Sequence, residues 1–422
     1  MALFLYRIVW IILLPFALLR VWLRGKKEPA YRLHWQQRLG IYPKFPQKKP
    51  IIWIHAVSLG ETRAAQPLVI SLKNKYPNHH LLITHMTATG RTAAESLYGE
   101  FATIATLPYD LSWLMSRFFQ HFKPAIGIIM ETEVWPALCQ TAAKNGIPLA
   151  LVNARLSAKS ARGYQRFSAL LSPALKQFSL ICAQSSDDQE RLSNLGANHI
   201  HVCGNLKFDV QPSDAQIELG LTFKTKLNRR PAFLFASSRE GEEALILSEW
   251  KQSNLRHKAI LIIVPRHPQR FDEVADCITA HELSFIKRSS IVSSEEIQDT
   301  VEVLLGDSMG EMGAYYTASD LCLIGGSLAP LGGQNLIEAA AYGCPSLFGP
   351  HMFNFAEASK AALTAGASKE VADVKNALLT AEQLLSDNAA ILSMRNNAHQ
   401  FAKAHQGATQ KIVGQLAKLI NQ

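Results

Sequence analysis

IIWIHAVSLGETRAAQPLVISL, residues 51–72, opens with an apolar run in which His55 is the one polar residue. A few residues past Val57 it becomes a segment in which Ala64, Ala65, Leu68, Val69 and Leu72 recur at helical spacing. An apolar run without alternation reads as a strand buried on both faces, and a strand feeding an amphipathic helix is the first half of a βαβ unit. The same sequence of events repeats along the chain. Strand candidates fall at 51–57, 81–86, 125–130, 148–153, 179–184 and 199–204, and again at 232–237, 259–264, 283–287, 301–305, 321–326 and 345–349. Continuous apolar strands separated by helical segments predict parallel sheets covered on both faces. The polar stretch 213–230 reads as a linker between two such series. The expected fold class is therefore α/β: two doubly wound, Rossmann-like domains, 51–212 and 231–422, facing a cleft at the carboxyl ends of their strands, where ligands bind in such sheets.

Outside these domains the composition narrows the class further. The 422 residues are 48% apolar and 18% charged, enough for two cores, which excludes a disordered chain, a collagen-like repeat and a disulfide-stapled miniprotein. The net charge of +9 is confined to the N-terminus. Residues 1–50 carry ten Lys/Arg against Glu28 alone, and the other 372 carry 33 basic and 33 acidic residues. No basic, aromatic-interleaved stripe marks the body as a nucleic-acid binder. Between Ala2 and Leu23 only Arg7 and Arg20 are charged, and 8–19 (IVWIILLPFALL) is wholly apolar. A helix there is about 33 Å long against a hydrocarbon core of roughly 30 Å, with Pro15 expected to kink it. No small-residue cleavage site follows, so residues 1–24 read as a retained anchor, either a single span or an in-plane helix. The basic segment 25–50 then places the body on the cytoplasmic side, against anionic head groups. The six cysteines are scattered, with no metal or redox spacing, and read as reduced core residues.

Chemistry is sought where strands end. HAVSLGET places Glu61 at a strand-to-helix corner, with Ser58 as N-cap, a helix beginning near Glu61 and Gly60 permitting close approach of a ligand. An ionised carboxylate there can take a proton from a sugar hydroxyl; its bland role is to complement the helix dipole. IIMETEVWP ends another strand in Glu131 and Glu133, which serve either the cleft or the cap of the next helix. GNLKFD places Lys207 just past the last strand of the first half, as a cation for a phosphate or carboxylate or as a solvated surface residue. The second half holds the nucleotide signals. Arg266 and His267 follow a strand in IVPRHPQR, GDSMGEM (306–312) supplies small residues, and GGSLAPLGGQNLIEAAAYGCP (325–345) opens a short helix near Gln334 and Asn335 that suits a phosphate. Glu338 lies one turn further, suited to ribose hydroxyls. No Walker lysine and no G-x-G-x-x-G are present. The combination points to a two-domain transferase using a nucleotide sugar.

As a set, HAVSLGE, METEVWP, VNARLSAKSARGY (152–164), GNLKFD, PRHP, GDSMGEM and GGQNLIEAAAYGCP resemble, in order, the motifs of the 3-deoxy-D-manno-octulosonic acid (Kdo) transferases of lipopolysaccharide synthesis. With the anchor, the resemblance covers essentially the whole chain. It implies the GT-B glycosyltransferase fold and transfer of Kdo from CMP-Kdo to the lipid A precursor, lipid IVA, at the cytoplasmic face of the inner membrane. It implies Glu61 as catalytic base, Glu131 and Lys207 as transition-state stabilisers, and CMP contacts from Arg266, His267, Met309, Gly310, Glu311, Asn335, Leu336, Ile337 and Glu338. Two positions depart from the family pattern: Arg239 stands where a histidine is usual and Ala137 where an asparagine is usual. No cofactor is expected, and no Asp pair at D-x-D spacing calls for a metal. A same-architecture transferase using a UDP-hexose and a membrane-tethered nucleotide-binding scaffold are the rival readings.

Overall fold

The apolar runs form strands because their Ile, Val, Leu and Phe side chains fit a pleated surface covered on both faces. In a computed structural model describing residues 1–46, 48–209, 211–228, 230–291 and 296–421, they build two parallel seven-stranded sheets. The first comprises β1 (Ile51–His55), β2 (His80–His85), β3 (Ala102–Thr106), β4 (Ile126–Met130), β5 (Leu149–Ala154), β6 (Phe178–Ala183) and β7 (Ile200–Val202), in the order β3-β2-β1-β4-β5-β6-β7. The second comprises β8 (Ala232–Ser238), β9 (Ile260–Pro265), β10 (Phe285–Lys287), β11 (Val303–Leu305), β12 (Leu321–Ile324), β13 (Ser346–Phe348) and β14 (Ser368–Glu370), in the order β10-β11-β9-β8-β12-β13-β14. Both are the doubly wound α/β sheets expected. Every strand candidate is a strand, and the sequence reading lacked only β3 and β14.

The chain divides into two compact units, Met1–Asp209 with Gln406–Gln422, and Val210–His405. Two boundaries therefore differ from the expectation. Residues 213–230 are not a free linker but carry the helix Asp214–Lys226, whose Gly220 and Phe223 are buried within the second unit and whose Lys224 pairs with Asp320 at 2.7 Å. Its remaining polar residues are the solvent face of a packed helix. The last seventeen residues belong to the first unit, not the second. Asp209 accepts the Gly407 and Thr409 N–H groups, seating the helix Ala408–Ile420, whose Ile412, Val413 and Leu416 join Leu68, Val69 and Leu72 in one core. On the opposite face of that sheet Trp53, Phe118, Phe119 and Phe178 are fully or almost fully buried. Trp53 donates its indole N–H to Thr84 at 2.8 Å, so this large core side chain leaves no polar atom unpaired.

The N-terminal helix runs from Ala2 to Lys27, through Pro15, three residues beyond the expected end. Two short 3-10 turns, Pro29–Arg32 and Trp35–Leu39, follow within 25–50.

Candidate active site

In a doubly wound sheet the strand order reverses at one point, and the crevice at the carboxyl ends of the strands there is where ligands bind. In the first sheet that point lies between β1 and β4. Glu61 follows β1 and Glu131 follows β4, so two of the expected site residues flank the reversal.

Ser58 ends the β1 turn in an extended conformation and accepts the Glu61 N–H, so the helix starts at Leu59, two residues before the expected position. The Glu61 carboxylate turns back on that cap, accepting the Val57 N–H at 2.8 Å and the Ser58 hydroxyl at 3.0 Å. The group is fixed, and it is not the openly exposed, fully ionised carboxylate expected. Burial pushes its pKa up to about 7; the Val57 N–H opposes this, while Glu131 and Glu133 add to it. A carboxylate that titrates near neutrality is matched to moving protons at working pH. Gly60 is exposed, and a Cβ built on it would meet no atom outside its chain neighbours closer than the Ser58 Oγ at 3.9 Å. The protein's own packing therefore does not require glycine there.

Glu131 adopts a left-handed backbone, φ +54°, and donates its N–H to the Val152 carbonyl. A non-glycine residue held in that region costs energy and marks a place where the chain must aim a group. Glu133 accepts the Trp135 indole N–H at 2.6 Å, and burial and the adjacent Glu131 raise its pKa. Lys207 sits in the 3-10 turn Leu206–Asp209 and donates its backbone N–H to Asn205; the turn is pinned at its start by Asn153, which is completely buried, also left-handed, and accepts the Leu206 N–H at 3.0 Å. Sequence reading passed over Asn153 as a site element. Its signal was a polar residue closing the apolar run PLALVN.

In the second sheet the reversal lies between β8 and β12, where Arg239 and the glycine pair 325–326 leave their strands. A Cβ on Gly325 would lie 2.3 Å from the Ser237 carbonyl, so the two strand ends approach too closely for any other residue. Glu242, 2% exposed, accepts the Gly326 N–H with both oxygens (3.0 and 2.8 Å) and the Arg239 N–H at 2.9 Å. Glu243 accepts the Ser238 hydroxyl and pairs with Arg270. These acidic clamps were not recognised in the sequence, although both lie in ASSREGEE. Arg239, Arg266 and Arg270 all act on His267, whose pKa is lowered first by burial and then by these cations. The Arg239 departure thus adds positive charge beside the glycine loop.

The remaining expected positions divide. Glu311 is not free for a ligand hydroxyl, because both its oxygens pair with Arg288 at 3.0 Å and one accepts the Ser308 hydroxyl. It fixes the loop that carries Gly310 and the exposed Met309. Asn335 caps the helix Leu336–Ala341 by accepting the Ile337 N–H. Leu336 and Ile337 have fully buried side chains, so a ligand can meet them only through the main chain. Glu338 is half-buried in the first turn.

The profile of the family described as "3-Deoxy-D-manno-octulosonic-acid transferase (kdotransferase)" matches residues 33–210. The 3-deoxy-D-manno-octulosonic acid transferase of Bordetella pertussis is 42% identical over 90% of this chain and 89% of its own. The chain belongs to the 3-deoxy-D-manno-octulosonic acid transferases. The Kdo transferase of Haemophilus influenzae is 34% identical over 97% of each chain. A glycosyltransferase from Rickettsia africae, 13% identical, shares the fold with TM-score 0.58 over 88% of this chain and 98% of that one. This Kdo transferase is accordingly a glycosyltransferase of lipopolysaccharide synthesis, and its N-terminal helix, of mean hydropathy 2.3 over its most apolar window, is long and apolar enough to cross a membrane, which fits the expected anchor.

Proposed function

We propose that this Kdo transferase moves Kdo from CMP-Kdo to lipid IVA with inversion at the anomeric carbon, Glu61 acting as general base. The observation that carries the assignment is the Glu61 carboxylate: fixed by two hydrogen bonds at the strand-order reversal, with its pKa raised to about 7. A primary hydroxyl of the lipid gives its proton to Glu61 as its oxygen bonds the anomeric carbon. The bond from that carbon to the CMP phosphate oxygen breaks, and its electron pair leaves with CMP. CMP is a good leaving group, so no strong general acid is required. Lys207 offsets negative charge as the bond breaks, and Glu131 stabilises positive charge developing at the anomeric centre.

Within the second unit the donor is held by Arg266 and His267, by the 309–311 loop and by the segment from Asn335 to Glu338. The Arg239, Arg266 and His267 corner meets the donor's phosphate or carboxylate. The reaction runs without a metal, in keeping with a sequence that has no D-x-D pair. The body works on the cytoplasmic side, where anionic head groups attract the basic segment 25–50.

The test is incubation of the reconstituted protein with CMP-Kdo and lipid IVA, followed by mass spectrometry of the lipid. A gain of one Kdo mass, or a multiple that counts the units added, is expected. Unchanged lipid beside intact CMP-Kdo, with a UDP-hexose consumed instead, would transfer the assignment to a different donor.

A further inference from the structure

The N-terminal helix does not stand clear of the first unit. Tyr6 donates its hydroxyl to Asp110 at 2.8 Å, and Asp110 in turn accepts the Ala137 and Leu138 N–H groups that open the helix Pro136–Lys144. Arg7 donates to Gln140. Trp10 packs against Tyr109 with ring centroids 5.8 Å apart, and Leu14, Ala17 and Leu18 pack on Tyr109, Leu111 and Leu114. These six positions, 6, 7, 10, 14, 17 and 18, form one stripe of an α-helix, so a single face is laid along the body for about 18 Å.

That docking decides how the helix can meet a bilayer. Crossing a hydrocarbon core takes about 20 consecutive residues clear of polar protein. Here the stretch from Tyr6 to Leu18 is bound to a surface that carries Asp110 and Gln140. The free ends are four residues before it and nine after, and nine residues of helix reach only about 13 Å. The opposite face is exposed and, from Phe4 to Leu19, apolar: Phe4, Ile12, Phe16 and Leu19 are 63%, 60%, 65% and 52% exposed, and Arg20 follows at its end. Its end is dressed for head groups. Arg32 and Lys26 lie over the Trp22 ring at 4.8 and 5.3 Å, and Arg24 lies over Tyr31 at 4.3 Å.

We propose that the N-terminal helix lies in the plane of the membrane. Its Phe4–Phe16–Leu19 face enters one leaflet of an anionic bilayer and its Tyr6–Trp10–Leu14 face stays bound to the first unit, so both ends remain on the side of the body. An apolar helix face with basic residues and a tryptophan at its margin is the composition of an interfacial anchor, buried about 5–10 Å deep. The inference rests on the membrane association described above and deepens it from anchor to orientation.

Topology tests it directly. In a Cys277→Ser background, Ala2→Cys and Lys418→Cys variants of the full chain are expressed in bacteria and exposed as spheroplasts to a membrane-impermeant maleimide. Both are expected to label only after permeabilisation. Labelling of position 2 but not 418 in intact spheroplasts would overturn the proposal in favour of a span. A fluorophore on Phe4→Cys and on Phe16→Cys, quenched by spin-labelled lipids in vesicles of phosphatidylglycerol and phosphatidylethanolamine, is expected to report the same shallow depth at both positions. A graded depth, or a Phe16→Cys probe shielded from lipid that crosslinks to a second copy, would overturn it equally. Recovery of the protein in the soluble fraction would instead remove the membrane association itself.

Discussion

The two strand-order reversals are built from the same topology and opposite chemistry. At β1/β4 the chain gathers carboxylates: burial holds Glu61 near neutrality, with Glu131 and Glu133 adding to the rise, and burial and Glu131 raise Glu133. At β8/β12 it gathers cations, and its carboxylates are spent within the protein: Glu242 on the backbone N–H groups of Gly326 and Arg239, Glu243 on the Ser238 hydroxyl and the Arg270 guanidinium. Glu61 accepts one backbone N–H and one hydroxyl, whereas Glu242 accepts two backbone N–H groups from two strand ends and so ties a loop down. Residue type alone does not separate these roles; the partners do.

The sharpest attempt to break that contrast is Glu61→Gln. It should lower kcat by about 10²–10⁴-fold while CMP affinity, measured by calorimetry, stays within about twofold. An active Gln variant would remove the base from the first reversal. Arg266→Ala should do the converse, weakening CMP binding by about 10–100-fold, the range of a charge-assisted hydrogen bond, with the smaller effect on kcat at saturating donor. Glu242→Ala leaves two backbone N–H groups buried without an acceptor and should cost about 1–3 kcal/mol of stability for each. Denaturant melts read this, and Glu242→Gln should recover part of the loss.

Smaller effects sharpen the first site. Glu61 works as a base only when ionised, so kcat/KM should be full above about pH 7 and fall as pH drops through that value. Ser58→Ala removes a hydrogen bond that lowers the Glu61 pKa and should move that limb to higher pH. Glu133→Gln removes a like charge, keeps an acceptor for Trp135, and should move it to lower pH. Opposite displacements, each of about a few tenths of a pH unit, distinguish titration of Glu61 from titration of substrate. The smallest expected effect is none: a chelator should leave the rate unchanged, and loss of activity restored by a divalent ion would introduce a metal into the mechanism.

What was legible in the sequence follows from what periodicity encodes. Twelve strands announced themselves as apolar runs, but β14 is Ser-Lys-Glu at a sheet edge and β3 alternates small and polar residues, so neither offers such a run. The helix Asp214–Lys226 was hidden because few of its positions are buried. The assignment of the last helix to the first unit was hidden because an amphipathic pattern says that a face is covered, not by which sheet. The Ser58 and Glu61 corner was readable from capping chemistry. The proton affinity of Glu61 was not, since it depends first on burial and then on Glu131 and Glu133, about seventy residues away and near it only once the sheet has formed. The glycine loop was readable as a loop, but sequence could not tell that Leu336 and Ile337 turn into the core or that Glu311 already holds Arg288.

The return of the last seventeen residues to the first unit sets an order of events during synthesis. The apolar helix is made before the strands of both sheets and can settle on lipid while they are being made. The core beneath Leu68 and Leu72, behind the Glu61 corner, lacks Ile412 and Leu416 until the whole second unit has been made. A chain that stops before Ala408 would therefore reach the membrane with its proton-accepting half still unsealed, and only one that carries the returning helix would be both moored and competent.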